Sequence, residues 1–97
     1  MDNYRAIKTV QAYIDDFMIK PEINWPPYLF KKRSYEIYGA NKILSLIASS
    51  NGIPARTVIN NFILLLRSRP DHKELDMFFC TMLDVATDID DILRAME

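Results

Sequence analysis

The sequence predicts an all-α protein, a four-helix up-down-up-down bundle. Four stretches repeat apolar residues at the spacing of three and four that is typical of amphipathic helices. Turn-forming residues separate these stretches, and the 97 residues include only two glycines. A hydrophobic fraction of 49% supplies enough apolar surface for a packed core. At this length we expect residues 1–97 to form a single helical domain.

Helix 1 is expected over about residues 3–18. Asp2 is a favourable N-cap, and Ile7, Val10 and Ile14 lie on one stripe of the helix. Pro21 ends the helix, because the residue before a proline disfavours helical backbone. Three prolines in the connection over residues 20–27 exclude regular structure there.

Helix 2 is expected over about residues 27–50. Pro27 suits the first helical position because its φ is already fixed near the helical value. Gly39 would let a neighbouring helix approach closely. Arg33 and Glu36 both project toward the apolar side, three residues apart, which predicts an ion pair within the helix. Asn51-Gly52 ends the helix, with Gly52 in a left-handed conformation.

Helix 3 is expected over about residues 54–68. Its apolar residues span roughly 160° of the helix surface, which is more than contact with one neighbour requires. They are Val58, Ile59, Phe62, Ile63, Leu65 and Leu66. We therefore expect helix 3 to be central. Leu64 falls on the opposite, polar side and is a candidate contact with another protein or with a second copy in a homodimer.

Helix 4 is expected over about residues 72–96, with Asp71 as N-cap and Glu74 completing a capping box. Asp90 projects into the apolar side of this helix, so its carboxylate needs a partner. In an antiparallel bundle Asp90 lies level with the start of helix 3. Arg56 is therefore the preferred partner, and Arg5 is the alternative.

The acidic stretch "DVATDIDDIL" places Asp84, Asp88 and Asp91 on one side of helix 4. A solvated acidic surface is the preferred interpretation, since a Mg²⁺ site would require facing carboxylates from another helix. The single histidine, His72, has no second ligand at metal spacing. We expect no metal, no cofactor and no enzymatic activity, because the titratable residues do not converge.

Charge and cysteine content limit the compartment and the partners. Residues 1–70 carry a net charge of +5 and residues 71–97 one of −6, which leaves −1 overall and no global attraction to nucleic acid. The acidic last helix either pairs with basic neighbours or attracts a basic partner. A lone cysteine, Cys80, and the absence of a long apolar run predict a cytoplasmic protein without a membrane span.

Residues 47–62, "IASSNGIPARTVINNF", resemble the helix-turn-helix of bacterial and phage repressors. The matching residues are Ala48, Gly52, Ile53 and Val58. The resemblance implies that Ala48 packs inside the first helix and that Ile53 and Val58 tie the two helices together. It also implies that Ala55, Arg56, Thr57 and Asn60 face the major groove. Asn51 and Asn61 depart from the pattern, because these positions are normally apolar.

More broadly, "FKKRSYEIYGANKILSLI" together with "DVATDIDDIL" is similar to small uncharacterised helical proteins of Gram-positive bacteria, their phages and mobile elements. That similarity implies no particular activity. We predict an interaction or accessory protein that binds another protein through a helix surface or through the segment of Trp25 and Tyr28. For Trp25, Tyr28 and Phe30 a lid over the end of the bundle is the preferred interpretation. The alternative function is a DNA-binding regulator that uses residues 47–62.

Overall fold

Four helices form an all-α bundle, which confirms the predicted fold class. The computed structural model describes residues 2–17, 25–68 and 76–97. Its helices are α1 (Asn3–Phe17), α2 (Pro27–Ala48), α3 (Ala55–Arg67) and α4 (Met77–Ala95). The buried apolar side chains form one cluster to which all four helices contribute. They are Ala6, Val10, Ile14, Ala40, Ile43, Ile47, Ala55, Ile59, Phe62, Leu66, Phe79, Met82, Val85, Ala86, Ile89 and Leu93.

Contacts between helix ends give the directions of the helices. Asn3, at the start of α1, donates a hydrogen bond of 2.7 Å to the Ile53 carbonyl just beyond the end of α2. Arg56, in the first turn of α3, contacts Asp90 near the end of α4. Thus α1 is antiparallel to α2, and α3 is antiparallel to α4.

Helices α2 and α4 share the most extensive interface of the bundle and run parallel. The ring of Tyr35, in the third turn of α2, meets that of Phe78, at the start of α4, edge to face with centroids 4.9 Å apart. One turn further along, a Cβ added to the buried Gly39 would lie 3.0 Å from Met82 Sδ, so glycine permits this close approach. The parallel arrangement of α2 and α4 completes the up-down-up-down order.

Helix α3 is not the central helix, contrary to the expectation from its wide apolar arc. It packs mainly on α4 and makes a smaller interface with α2, whereas α1 packs mainly on α2. Leu65, one edge of the arc, is 64% exposed, while Ile59, about 120° further round, is fully buried. Part of the apolar arc is therefore surface that the neighbouring helices do not cover.

Helix α4 begins at Met77, later than the predicted residue 72. Asp76 has an extended backbone (φ −72°, ψ 107°), and its carboxylate accepts a hydrogen bond of 3.1 Å from the Phe79 N–H. Asp76 is therefore the N-cap of α4. The predicted cap at Asp71, the first helical residues 72–75 and most of the proline-rich connection (residues 20–24) lie outside the described residues.

Candidate functional site

The turn between α2 and α3 is built from two residues with left-handed backbone. Asn51 has φ 55° and Gly52 has φ 89°, which are values that asparagine and glycine adopt most readily. This agrees with the predicted role of Gly52. The turn brings the last turn of α2 beside the first turns of α3, and an open groove lies between them.

Helix α1 holds this turn from outside. The Asn3 amide donates 2.7 Å to the Ile53 carbonyl, and its oxygen accepts 3.0 Å from the Ala55 N–H, the first amide of α3. Asn3 thus caps α3 from a distant part of the chain, which satisfies an N–H that the helix itself leaves unpaired. Helix α1 therefore fixes the position of the turn, and the turn forms one wall of the groove.

The α2–α3 groove is an apolar channel with a volume of about 370 Å³. Its lining residues are Leu46, Ser49 and Ser50 from the α2 side, Ile53 from the turn, and Val58, Asn61, Phe62 and Leu65 from α3. The groove is large enough for several apolar side chains. Because both walls are helices, the backbone hydrogen bonds of the walls are internal.

The two serines of the groove already use their hydroxyl protons. Ser49 Oγ donates 2.9 Å to the Ser45 carbonyl, and Ser50 Oγ donates 2.7 Å to the Ile47 carbonyl. Within the described part of the chain, no buried side-chain nitrogen or oxygen lacks a hydrogen-bond partner. Apart from the exposed Asn61 amide, the groove therefore offers few polar groups to orient a polar ligand, and covering it breaks few hydrogen bonds.

Two large apolar side chains at the edges of the groove face solvent. Leu65 is 64% exposed and Ile53 is 48% exposed. Leu64 is exposed to the same extent as Leu65 but does not line the groove, since it lies about 100° further round α3. The predicted contact residue Leu64 is thus adjacent to the groove rather than part of it.

Lys42 is a cation beside the groove, whereas Arg67 is not. Lys42 lies one turn before Leu46, on the same side of α2. Arg67 lies two residues beyond Leu65 and therefore about 200° further round α3, on the side away from the groove. Neither makes an ion pair with any residue in the described ranges. Helix α3 has no carboxylate, and the only carboxylate of α2, Glu36, is paired with Arg33. Helices α2 and α3 therefore carry a net positive charge.

Arg56 is held by carboxylates of α4 and the C-terminal residue. Its Nε lies 3.3 Å from Asp90 Oδ1, and its Nη1 lies 3.0 Å from Glu97 Oε2. Arg94 Nη2 contacts the other oxygen of Asp90 at 2.8 Å. The hydrogen bond that Arg56 donates to Asp90 raises the pKa of Arg56, despite partial desolvation. Arg56 is the partner that the sequence favoured for Asp90, and Arg5 is not among the contacts of Asp90.

The four candidate DNA-reading residues are placed differently from the helix-turn-helix expectation. Ala55 is 5% exposed and packs in the core, so it does not face outward. Arg56 is engaged by Asp90 and Glu97. Thr57 and Asn60 are exposed on α3. Only two of the four side chains therefore face solvent without an ion pair.

The packing around the turn also departs from the helix-turn-helix pattern. Ala48, expected inside the first helix, is exposed. Ile53, expected to tie the two helices together, is about half exposed, and Val58 is partly buried at the groove. The expectation for Ala48 and Ile53 was wrong because α3 turns its buried side mainly toward α4 instead of α2.

The segment around Trp25 packs on its own helix. Trp25 is partly buried, its ring lies 5.7 Å from that of Phe30, and the Arg33 guanidinium lies 5.2 Å from the Trp25 ring centroid. Arg33 also contacts Glu36 at 3.3 Å, as the sequence predicted. Tyr28 and Phe30 are exposed, so they do not form the predicted lid over the core.

The acidic residues of α4 do not assemble into a metal site in the described ranges. Asp84, Asp88 and Asp91 are exposed, and no group of three potential ligands among residues 2–17, 25–68 and 76–97 is close enough to hold a metal ion. Asp88 instead accepts a hydrogen bond of 3.3 Å from the Tyr13 hydroxyl. No helix in these ranges is both long and apolar enough to cross a bilayer.

Comparison with known proteins gave no significant match to a family model, a curated protein or a solved structure. The similarities of the sequence to repressors and to small helical proteins of phages therefore stay predictions. Function has to be inferred from the residues of this chain.

The sequence analysis missed Leu65, Ile53 and Asn3 as residues of the site. Leu65 was assigned to the core because it belongs to the apolar arc of α3. The width of that arc was the signal for the groove. When a neighbouring helix covers only part of a wide apolar arc, apolar surface stays exposed at its edge. No local signal identifies Asn3, because its partners are about fifty residues away along the chain.

Proposed function

We propose that this cytoplasmic protein acts by binding another protein in the α2–α3 groove. The observation that carries the proposal is the exposure of Leu65 and Ile53 at the edges of an apolar channel of about 370 Å³. Burying exposed apolar surface contributes about 25 cal/mol per Å² to association, before the costs of binding are subtracted. Contiguous exposed apolar surface on a small protein is typical of an interaction site.

The groove is better suited to an apolar protein surface than to a polar small molecule. A polar ligand is oriented by a few unpaired polar groups, whereas the hydroxyls of Ser49 and Ser50 are already hydrogen-bonded to the backbone. Because these groups keep their internal partners, an apolar partner can cover them at little cost.

A matched pair of substitutions on α3 tests the proposal. Leu64 and Leu65 are neighbours with equal exposure, but only Leu65 lines the groove. We expect affinity capture from a lysate of the native cells to recover the same partner with the wild type and with Leu64→Glu. Leu65→Glu should lose that partner, because it places a charge in the apolar channel.

Circular dichroism checks that both variants fold, which their exposed positions favour. An identical set of captured proteins for the wild type and both variants would contradict the proposal. Loss of the partner with Leu64→Glu alone would move the interface to the polar side of α3 and would equally contradict binding in the groove.

DNA binding through α3 is the second candidate function. Thr57 and Asn60 are exposed on a helix that has no carboxylate, which supports it. The ion pairs of Arg56 with Asp90 and Glu97 oppose it. A gel-shift assay with random duplex DNA at low salt tests this candidate, since phosphate contacts give even non-specific binding that weakens as salt increases. A shift that Thr57→Glu removes would support DNA binding, and the absence of any shift would eliminate it.

A further inference from the structure

We propose that a stripe of tyrosine and lysine side chains on α2 binds single-stranded nucleic acid. The α2 stripe consists of Tyr28, Lys31, Tyr35, Tyr38 and Lys42. None of these residues lines the α2–α3 groove, so this proposal does not depend on protein binding in the groove. It rests on aromatic rings that can stack on bases and on unpaired cations that can contact phosphates.

The five side chains of the α2 stripe lie along one side of the helix. At about 100° per residue they fall within an arc of about 80°, and they extend over about 21 Å of helix length. No other residue between 28 and 42 falls within that arc. Glu36, the only carboxylate of α2, lies about 80° beyond the edge of the arc and is paired with Arg33. The stripe is therefore a continuous surface of rings and positive charges.

The tyrosine rings of the stripe are open to solvent, and one neighbour from α4 orders them. Tyr28 is 58% exposed and Tyr38 is 54% exposed. Tyr35 is half-buried, because its ring meets that of Phe78 edge to face at 4.9 Å. The ring of Phe78 also lies 5.6 Å from that of Tyr38, so it contacts two rings of the stripe. Rings that are already ordered lose less side-chain entropy when a ligand binds.

The polar groups of the stripe are available to a ligand. Lys31 and Lys42 are exposed, and neither forms an ion pair within residues 2–17, 25–68 and 76–97. The hydroxyls of the three tyrosines make no hydrogen bond in the same ranges, whereas the Tyr13 hydroxyl of α1 does. These groups can therefore contact phosphate oxygens or base edges without first breaking a contact to the described residues.

The acidic side of α4 does not adjoin the stripe. Asp84, Asp88 and Asp91 lie about 80–140° round α4 from Phe78, which is the residue of α4 that contacts the stripe. Asp88 accepts its hydrogen bond from α1. Asp76, the described carboxylate closest in sequence to Phe78, is occupied as the N-cap of α4. The net charge of the whole chain therefore does not set the charge beside the stripe.

A single strand of nucleic acid matches both residue types of the stripe. Each nucleotide brings a flat base and a phosphate, so a strand can stack on the tyrosines and pair with the lysines along the same line. An acidic peptide would pair with the lysines but does not bring a flat ring with each unit. A duplex keeps its bases stacked on one another, so it would meet mainly the lysines.

Fluorescence anisotropy with the 97-residue protein tests the proposal. The probes are fluorescein-labelled oligothymidylate and oligouridylate of about 12 nucleotides, a duplex of the same length, and an abasic strand that has phosphates but no bases. At low salt, we expect a single strand to bind at least about tenfold more tightly than the duplex or the abasic strand, because stacking adds to charge. Binding of either single strand supports the proposal, and the tighter one shows whether DNA or RNA is preferred. The affinity should fall as salt increases.

Protein variants locate the binding on the stripe. We expect Tyr38→Ala to weaken the single strand about fivefold or more and Tyr38→Phe, which keeps the ring, to stay within about twofold of wild type. Lys42→Gln should weaken binding and reduce the slope of log affinity against log salt by about 0.7, the share of one phosphate contact. Tyr4→Ala and Lys8→Gln are matched controls, because both residues are exposed on α1 and lie outside the stripe. Circular dichroism checks that each variant folds.

Several outcomes would overturn the proposal. The absence of binding to either single strand at low salt would do so, and so would equal affinity for the abasic strand, which would leave charge as the only attraction. Equal losses in the stripe variants and in the α1 controls would show that the stripe is not the site. Binding that Thr57→Glu removes and Tyr38→Ala does not would place nucleic acid on α3 instead. An oligoglutamate peptide that displaces the strand at equal concentration would identify an acidic protein as the occupant.

Discussion

Asp90, near the end of α4, is ion-paired across the bundle with Arg56 in the first turn of α3. The distance from Oδ1 to Nε is 3.3 Å, and the Asp90 side chain is 6% exposed against 28% for Arg56. Arg94 occupies the second carboxylate oxygen at 2.8 Å. A buried carboxylate with both oxygens engaged ties α3 to α4 and holds the Arg56 guanidinium against α4.

Replacing Asp90 by asparagine should destabilise the protein. The amide keeps the shape of the side chain but removes the negative charge that faces two guanidinium groups. Because hydrogen bonds to charged groups contribute about 1.5–3 kcal/mol, we expect the free energy of unfolding to fall by about 1–3 kcal/mol in urea denaturation. Asp91→Asn is the control, since Asp91 is exposed and lies 3.8 Å from Arg94. The structural role of Asp90 would be contradicted if both variants unfolded at the same urea concentration.

Replacing Asn3 by alanine should weaken the turn that supports the groove. The substitution removes the cap on the Ala55 N–H and the donor to the Ile53 carbonyl. Loss of a helix cap typically costs about 1 kcal/mol, and we expect a decrease of that size in the free energy of unfolding. Faster hydrogen exchange at the Ala55 amide would show that the cap itself was lost. Asn60→Ala, at an exposed position of α3, should stay within about 0.5 kcal/mol of wild type.

Replacing Gly52 by alanine should strain the turn without any steric clash. No atom lies within 4 Å of the position that a Cβ would occupy, so the cost comes only from φ at +89°. A left-handed conformation costs a residue other than glycine about 1–2 kcal/mol, and we expect thermal unfolding to report a loss of that size. Asn51→Gly is the control in the opposite direction. Glycine accepts the φ of 55° at that position, so this substitution should introduce no strain. A stabilised Gly52→Ala protein would contradict the left-handed backbone.

Tyr13 should make the stability of the bundle sensitive to alkaline pH. Burial, followed by the negative charge of Asp88, raises the pKa of Tyr13 above its usual value near 10. The folded state therefore holds this proton more tightly than the unfolded chain does. Its contribution to stability is complete below the unfolded pKa of about 10 and is lost as pH rises through the higher folded pKa.

Comparison of the wild type with Tyr13→Phe measures this effect. The stability of the wild type relative to Tyr13→Phe should be constant at neutral pH and should fall above about pH 10. Ultraviolet difference spectra should show a late tyrosine ionisation that Tyr13→Phe lacks. Tyr4→Phe is the control for loss of a hydroxyl from the same helix, because Tyr4 is exposed. A difference in stability between the wild type and Tyr13→Phe that did not change with pH would contradict the raised pKa.

Local sequence patterns were sufficient for the features that depend on neighbours along the chain. The apolar periodicity predicted four helices, and Asn51-Gly52 predicted the turn between α2 and α3. The spacing of Arg33 and Glu36 predicted their contact within one helix. The pairing of Asp90 with Arg56 is the one long-range contact that could be inferred. It followed from a carboxylate inside an apolar arc and from the position of Arg56 at the same level of an antiparallel bundle, with Arg5 as the alternative partner.

The tertiary structure decided how much of each apolar arc is covered. Periodicity shows which side of a helix is apolar, but the share of that side that becomes buried depends on which helices pack against it. Parallel packing of α2 on α4 moved α3 to one side, which buried Ala55 and exposed Leu65. It also brought Asn3 to the start of α3, about fifty residues away in the chain. By itself, then, the sequence determined the helices and their order, whereas the groove exists only because α2 and α4 share the central interface and leave one edge of α3 uncovered.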